Sequence, residues 1–113
     1  MPVTDKTVAQ RRKERRDGLF RKHFHSEKRV LFIQDQPCEL TGLCYAHFIH
    51  CAHTKTRGSG GTYKDTVPLT HEAHRDFDLM SDNAFEAKYP GRTKQSVRDR
   101  APFYQQLWEE SRE

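Results

Sequence analysis

The chain has 113 residues, of which 34% are hydrophobic, and a mean hydropathy of −1.02. That suffices for one small domain with one modest core, and not for two. The net charge is +4, yet residues 5–29 alone hold ten Lys/Arg against four Asp/Glu, a local +6 that leaves −2 for the rest. No apolar run approaches bilayer-spanning length, and the charged N-terminus carries no apolar signal region, so a soluble cytoplasmic protein without a membrane partner is expected. Cys38, Cys44 and Cys51 make an odd number of cysteines, which argues against a secreted disulfide framework.

The pattern predicts a helix over residues 4–29, capped at Thr4, with Gly18 as its main breaker. Its apolar residues, Val8, Leu19, Phe20 and Phe24, form a thin stripe. Such a helix should dock loosely and keep a basic face free, with Arg11, Arg12, Arg15 and Arg16 on it. A concentrated basic arm beside a near-neutral body is the footprint of a nucleic-acid binder. A merely solvated helix face would have the same composition.

"RVLFIQ" at 29–34 is a short apolar run that reads as a strand, followed by a Pro- and Gly-bounded turn, "DQPCELTG". "LCYAHFIHCAH" reads as the first strand of a hairpin. Alternation would put Cys44, Ala46, Phe48 and His50 on one face, and Tyr45, His47, Ile49, Cys51 and His53 on the other. "TKTRGSGGTYKD" is a glycine-rich loop, and "TVPL" a brief second strand that Pro68 confines to an edge. A helix begins at Thr70, with Ala73, Phe77 and Met80 at helical spacing. "SDNAFEAKYPG" reads as a short helix capped by Ser81. The last helix, containing Val97, Phe103, Leu107 and Trp108, is interrupted or restarted at Pro102.

The centre of the chain gathers imidazoles and carboxylates. His74 and Asp78, four apart on the predicted helix, share one face, and His71 lies three before His74. His53 ends the first strand, from which a hairpin would return it over that helix, and Asp65 precedes the second strand. Oxygen and imidazole donors together suit a divalent cation. A histidine not bound to the metal could take a proton from water, and the cation could stabilise the leaving oxygen of a phosphodiester. Taken singly, each histidine reads better as a surface or hydrogen-bonded residue than as a ligand, and His71 is read as structural or incidental.

The combined stretch "AHTKTRGSGG…KDTVPLTHEAHRDFD" resembles the core of the HNH endonucleases, the ββα-metal nucleases, above all their small phage and prophage members. The positions that carry the resemblance are Ala52-His53, Arg57-Gly58, Gly60-Gly61, Asp65, Val67-Pro68-Leu69, His74 and Asp78. It covers residues 38–78, and not the basic arm or the last helix. The resemblance implies His53 as general base. It implies that Asp65 orients the base or helps hold the metal, that His74 ligates it with Asp78 as second ligand, and that Arg57 contacts the scissile phosphate. Lys55 and Lys64 join Arg11, Arg12, Arg15, Arg16 and Arg57 as expected contacts to DNA. The implied cofactor is a divalent cation, Mg²⁺, Mn²⁺ or Zn²⁺, and the implied setting is a bacterial or phage-infected cell.

Three positions depart from the family pattern. Ala52 stands where many members carry a metal-binding residue before the base. Asp65 replaces the usual Asn. Of two Cys-x-x-Cys knuckles that hold a structural zinc in many members, Cys38-Glu39-Leu40-Thr41 and Thr70-His71-Glu72-Ala73 keep one thiol, so no structural zinc of that kind is expected. A site rebuilt from Cys44, His47, His50 and Cys51 is the alternative, against small buried thiols as the plainer reading.

The fold expected is therefore α+β. A ββα-metal core over 30–80 lies between a basic helical arm, 1–29, and a helical tail, 81–113, in one domain. The expected activity is metal-dependent hydrolysis of DNA. A non-catalytic nucleic-acid-binding module on a metal-stapled scaffold is the alternative. A metal-binding regulator that docks a partner protein through an exposed Trp108 region is a third reading.

Overall fold

The computed structural model describes residues 7–44 and 48–112, with the backbone alone for Arg57. Helix α1 (Val8–Phe24) starts at a capping box: the Thr7 hydroxyl accepts from Gln10 N–H, and the Gln10 side chain accepts from Thr7 N–H. The expected cap at Thr4 lies outside the described residues, and Gly18 does not break the helix. Val8 and Leu19 are exposed, and His23 is the one buried residue of α1.

α1 stops at His25, whose φ of 71° and ψ of −63° close a γ-turn, with Ser26 N–H donating to the Phe24 carbonyl at 2.9 Å. The chain then enters helix α2 (Glu27–Gln34), where a strand was expected over 29–34. Two local features favour the helix. The Ser26 hydroxyl caps Arg29 N–H, and Arg29 and Ile33, four apart, supply a single buried face. An apolar run of this length does not distinguish strand from helix by periodicity.

Strands β1 (Ile49–His53) and β2 (Thr66–Thr70) form an antiparallel hairpin. Ile49 lies opposite Thr70, His50 opposite Leu69, and His53 opposite Thr66. β1 is shorter than expected, and Tyr45, Ala46 and His47 lie outside the described residues. In a two-stranded sheet each strand is an edge, so Pro68 removes no ladder bond that the fold needs. The connecting loop folds back so closely that a Cβ on Gly61 would lie 2.1 Å from the Lys55 carbonyl oxygen. No other residue type fits there.

Helices α3 (His71–Leu79), α4 (Asp82–Lys88), α5 (Lys94–Arg98) and α6 (Ala101–Ser111) follow, the first three capped by Thr70, Ser81 and Thr93. The expected interruption of the last helix falls between α5 and α6, with Pro102 in the first turn of α6, where no N–H is needed. Helices α2, α3 and α6 pack on the hairpin around Ile33, Ile49, Val67, Leu69, Ala73, Phe77 and Phe85. The architecture is a mixed α+β fold. Trp108, expected at the surface, is only 8% exposed. Among the described residues no helix is long and apolar enough to cross a membrane.

Arg29 and Glu39 are among the charged side chains that tie the helices together. Arg29, fully buried, donates to Gln105 Oε1 twice, at 2.9 and 3.1 Å, and to the Thr66 hydroxyl at 2.7 Å. Its guanidinium also lies 5.2 Å from the Tyr63 ring centre. Glu39 is held by Arg92 and Arg100, both at 2.9 Å, and by the Tyr104 hydroxyl.

Candidate functional site

The site follows from the hairpin register. β2 runs directly into α3, with Thr70 serving as last strand residue and helix cap. Antiparallel pairing therefore brings the start of β1, not its end, beside the first turns of α3. The residue delivered there is His50. Its Nδ1 lies 2.9 Å from Nδ1 of His74, and its ring centre 5.3 Å from that of His71. On the far side of its ring, His74 Nε2 is 3.3 Å from Asp78 Oδ2. Burial, then the neighbouring His74 and His71, hold His50 below the ordinary imidazole range, so it is neutral at neutral pH.

At the His50–His74 spacing one imidazole donates an Nδ1–H and the other accepts it. Asp78 contacts the other ring nitrogen of His74 and so orients the imidazole. Among the described residues no three His, Cys, Asp or Glu side chains converge on one point in the way an ion requires.

The hairpin places the other expected residues elsewhere. His53 is three positions from His50 on β1, roughly 10 Å along the strand and on its opposite face. It meets α1 instead: Nε2 donates to the His23 carbonyl at 2.7 Å, and the ring packs edge-on to Phe24 at 5.0 Å and His23 at 5.9 Å. The buried His23 Nδ1 has no hydrogen-bond partner among the described residues. Asp65 caps the turn before β2, accepting from Thr62 N–H at 2.9 Å, with the five residues of β2, roughly 16 Å of strand, between it and α3. His53 and His74 are thus not brought together, and neither are Asp65 and His74. Arg57 opens the short turn Arg57–Ser59, and its side chain lies outside the described atoms. Lys55 and Lys64 are exposed on the loop, and Arg11, Arg12, Arg15 and Arg16 are exposed on α1.

The knuckle positions do converge, without thiolates. Cys38 Sγ accepts from Thr70 N–H at 3.3 Å and lies 4.0 Å from the Thr70 hydroxyl, which in turn caps Ala73 N–H at 3.1 Å. Burial pushes the Cys38 thiol up, but the Thr41 hydroxyl and the amides of Thr70, Thr41 and Leu40 outweigh it and hold the thiol below its ordinary value. Gly42, with φ of 73°, turns the chain so that Cys38 N–H reaches the Leu43 carbonyl at 2.8 Å.

Reading the sequence gave His50 no part beside His74, although the signal was present: the end of β2 is the start of α3, and its antiparallel partner is the beginning of β1. No protein-family model matches the chain, and neither does any curated protein or solved structure.

Proposed function

We propose that the protein is a metal-dependent nuclease built on a ββα-metal core, acting on phosphodiester bonds of DNA. The observation that carries this reading is the cluster of His50, His71, His74 and Asp78 at the junction of hairpin and helix, in a chain whose first helix is an exposed row of arginines. His50 and His74 would hold the cation and Asp78 would fix the His74 ring. When bound, the cation supplies charge stabilisation for the leaving oxygen. His71, on the first turn of α3 and exposed, would take the proton of an attacking water. His53, roughly 10 Å along the strand, would dock α1 instead. The arm would neutralise backbone phosphates and hold the strand against the cluster.

A second reading, a nucleic-acid-binding module without catalysis, is favoured by the lack of a third converging donor among the described residues. Incubating duplex and single-stranded DNA with Mg²⁺, Mn²⁺ or Zn²⁺ separates the two. Cleavage that EDTA and His74→Ala both abolish supports the nuclease. Salt-dependent binding with no cleavage in any metal removes it and leaves the module.

A further inference from the structure

We infer that the cleft between the start of α2 and the end of α6 binds a backbone phosphate of a nucleic-acid strand, gripped by Lys28 and Arg112. The cleft has a volume of about 490 Å³ and is lined by His25, Ser26, Lys28, Trp108, Ser111 and Arg112. Its lining carries two permanent cations, an imidazole and two hydroxyls, and no carboxylate. Lys28 and Arg112 are exposed and make no ion pair among the described residues.

The nearby acids are turned to other work. Glu109 and Glu110 accept from Gln105 and Gln106, each at 3.1 Å along their own helix. Glu27 lines a different groove, with Phe20, Val30 and Leu31. Two cations lining one cleft with no ion-pair partner among the described residues repel each other, and an anion between them removes that repulsion.

The recognised group is a phosphate rather than a base. Trp108 forms the floor, but it is only 8% exposed, covered by Arg112 at 5.3 Å, Phe32 at 5.5 Å and His25 at 5.9 Å between ring or guanidinium centres. A base cannot stack on a ring so covered. His25 is held over the cleft by its γ-turn, a positive-φ conformation that side-chain-bearing residues rarely adopt, and by its contact with Tyr63 at 5.0 Å. The last turn of α1 carries Arg21 and Lys22, four and three residues before His25 in the chain. That the phosphate belongs to a strand rests on the nucleic-acid reading above; the chemistry of the cleft does not.

The chain has a single tryptophan, and it is the floor of the cleft. Trp108 emission is therefore the probe, read in EDTA during titration with an eight-nucleotide single strand and, separately, with inorganic phosphate. Anisotropy of a labelled copy of the strand gives affinity independently. A saturable emission change with the strand is expected. In the Lys28→Gln/Arg112→Gln variant, affinity should fall at least about tenfold and the log–log salt slope should flatten by roughly 0.7, at ~0.7 per phosphate. Both side chains are exposed, so the variant keeps its fold. Saturation by the strand with phosphate inert at millimolar concentration assigns a strand contact, and saturation by both assigns recognition of the phosphate oxygens themselves. Saturation by phosphate alone, strand binding that leaves Trp108 emission unchanged, or equal affinity and slope in the variant overturns the proposal. His74→Ala should titrate like the wild type, so a failed nuclease assay and a failed cleft are told apart.

Discussion

Replacing His53 with Ala should unsettle the fold while sparing the chemistry, and His71→Ala should do the reverse. His53 donates one hydrogen bond to the His23 carbonyl at 2.7 Å, and its ring meets Phe24 and His23 edge-on. The hydrogen bond contributes about 1 kcal/mol and the ring contacts about 1 kcal/mol more. Losing both should lower Tm by roughly 8 °C, at about 4 °C per kcal/mol for a domain of this size. The rate at saturating DNA should stay within about threefold of wild type, because His53 faces α1 and not α3. Removing the His71 imidazole should instead reduce kcat by about 10²–10⁴ and leave Tm nearly unchanged, since that residue is exposed. Thermal melts and single-turnover cleavage in Mn²⁺ decide the matter. If His53→Ala lost two or more decades of rate with an intact Tm, while His71→Ala cleaved normally, the hairpin register would be assigning the wrong imidazole.

Changing Arg11, Arg12, Arg15 and Arg16 together to Gln should flatten the log–log salt dependence of duplex binding by up to roughly 3.6, at ~0.9 per phosphate, and lower saturated cleavage far less; an unchanged slope would make α1 a structural helix. Asp78→Asn should weaken Mn²⁺ affinity by about 10–100-fold without abolishing cleavage, as loss of an orienting carboxylate does, and calorimetric titration reads it directly. Burial opposes ionisation of Glu39, but hydrogen bonds from Tyr104, Arg100 and Arg92 outweigh it and hold the carboxyl below its ordinary value of 4.5. Its stabilisation is therefore complete above that value and lost as pH falls below it, so Glu39→Gln should reduce the acid-side loss of stability, and an identical acid melt would dismiss the role. Thr41→Cys, Thr70→Cys and Ala73→Cys combined should create a tetrahedral thiolate site with Cys38 that takes up about one zinc per chain by elemental analysis; a protein that stays metal-free would mean that the four positions do not converge closely enough.

The legible parts of the sequence were those where local chemistry decides. Thr70 and Ser81 cap α3 and α4 as their hydroxyls and the following apolar spacing indicate, and Pro102 restarts the last helix. The "RVLFIQ" segment was not legible, because its outcome turned on Ser26, outside the run, and on burial of Arg29. An arginine with no exposed surface belongs to no apolar pattern. It is buried because Gln105 and Thr66, distant in sequence, supply acceptors. Trp108 was misplaced for a related reason: a terminal helix reads as peripheral until Phe32 and His25 close over it.

For the site, helix spacing correctly put His74 and Asp78 on one turn, since i and i+4 on a helix are neighbours whatever the tertiary fold. What remained hidden was which strand histidine meets them, because that is a question of register and face together. Side chains alternate along a strand, so His50 and His53, an odd number of positions apart, cannot both look at α3. The face is decided by what else must be covered. Cys51 shares the face of His53 and lies beside buried Arg29 of α2, whereas His50 lies against His74 of α3. Once Arg29 packs there, α2 takes the Cys51 face and His53 is drawn to α1, leaving the other face and His50 to α3. The imidazole that meets His74 thus lies on the hairpin face opposite the one where the buried Arg29 guanidinium packs beside Cys51.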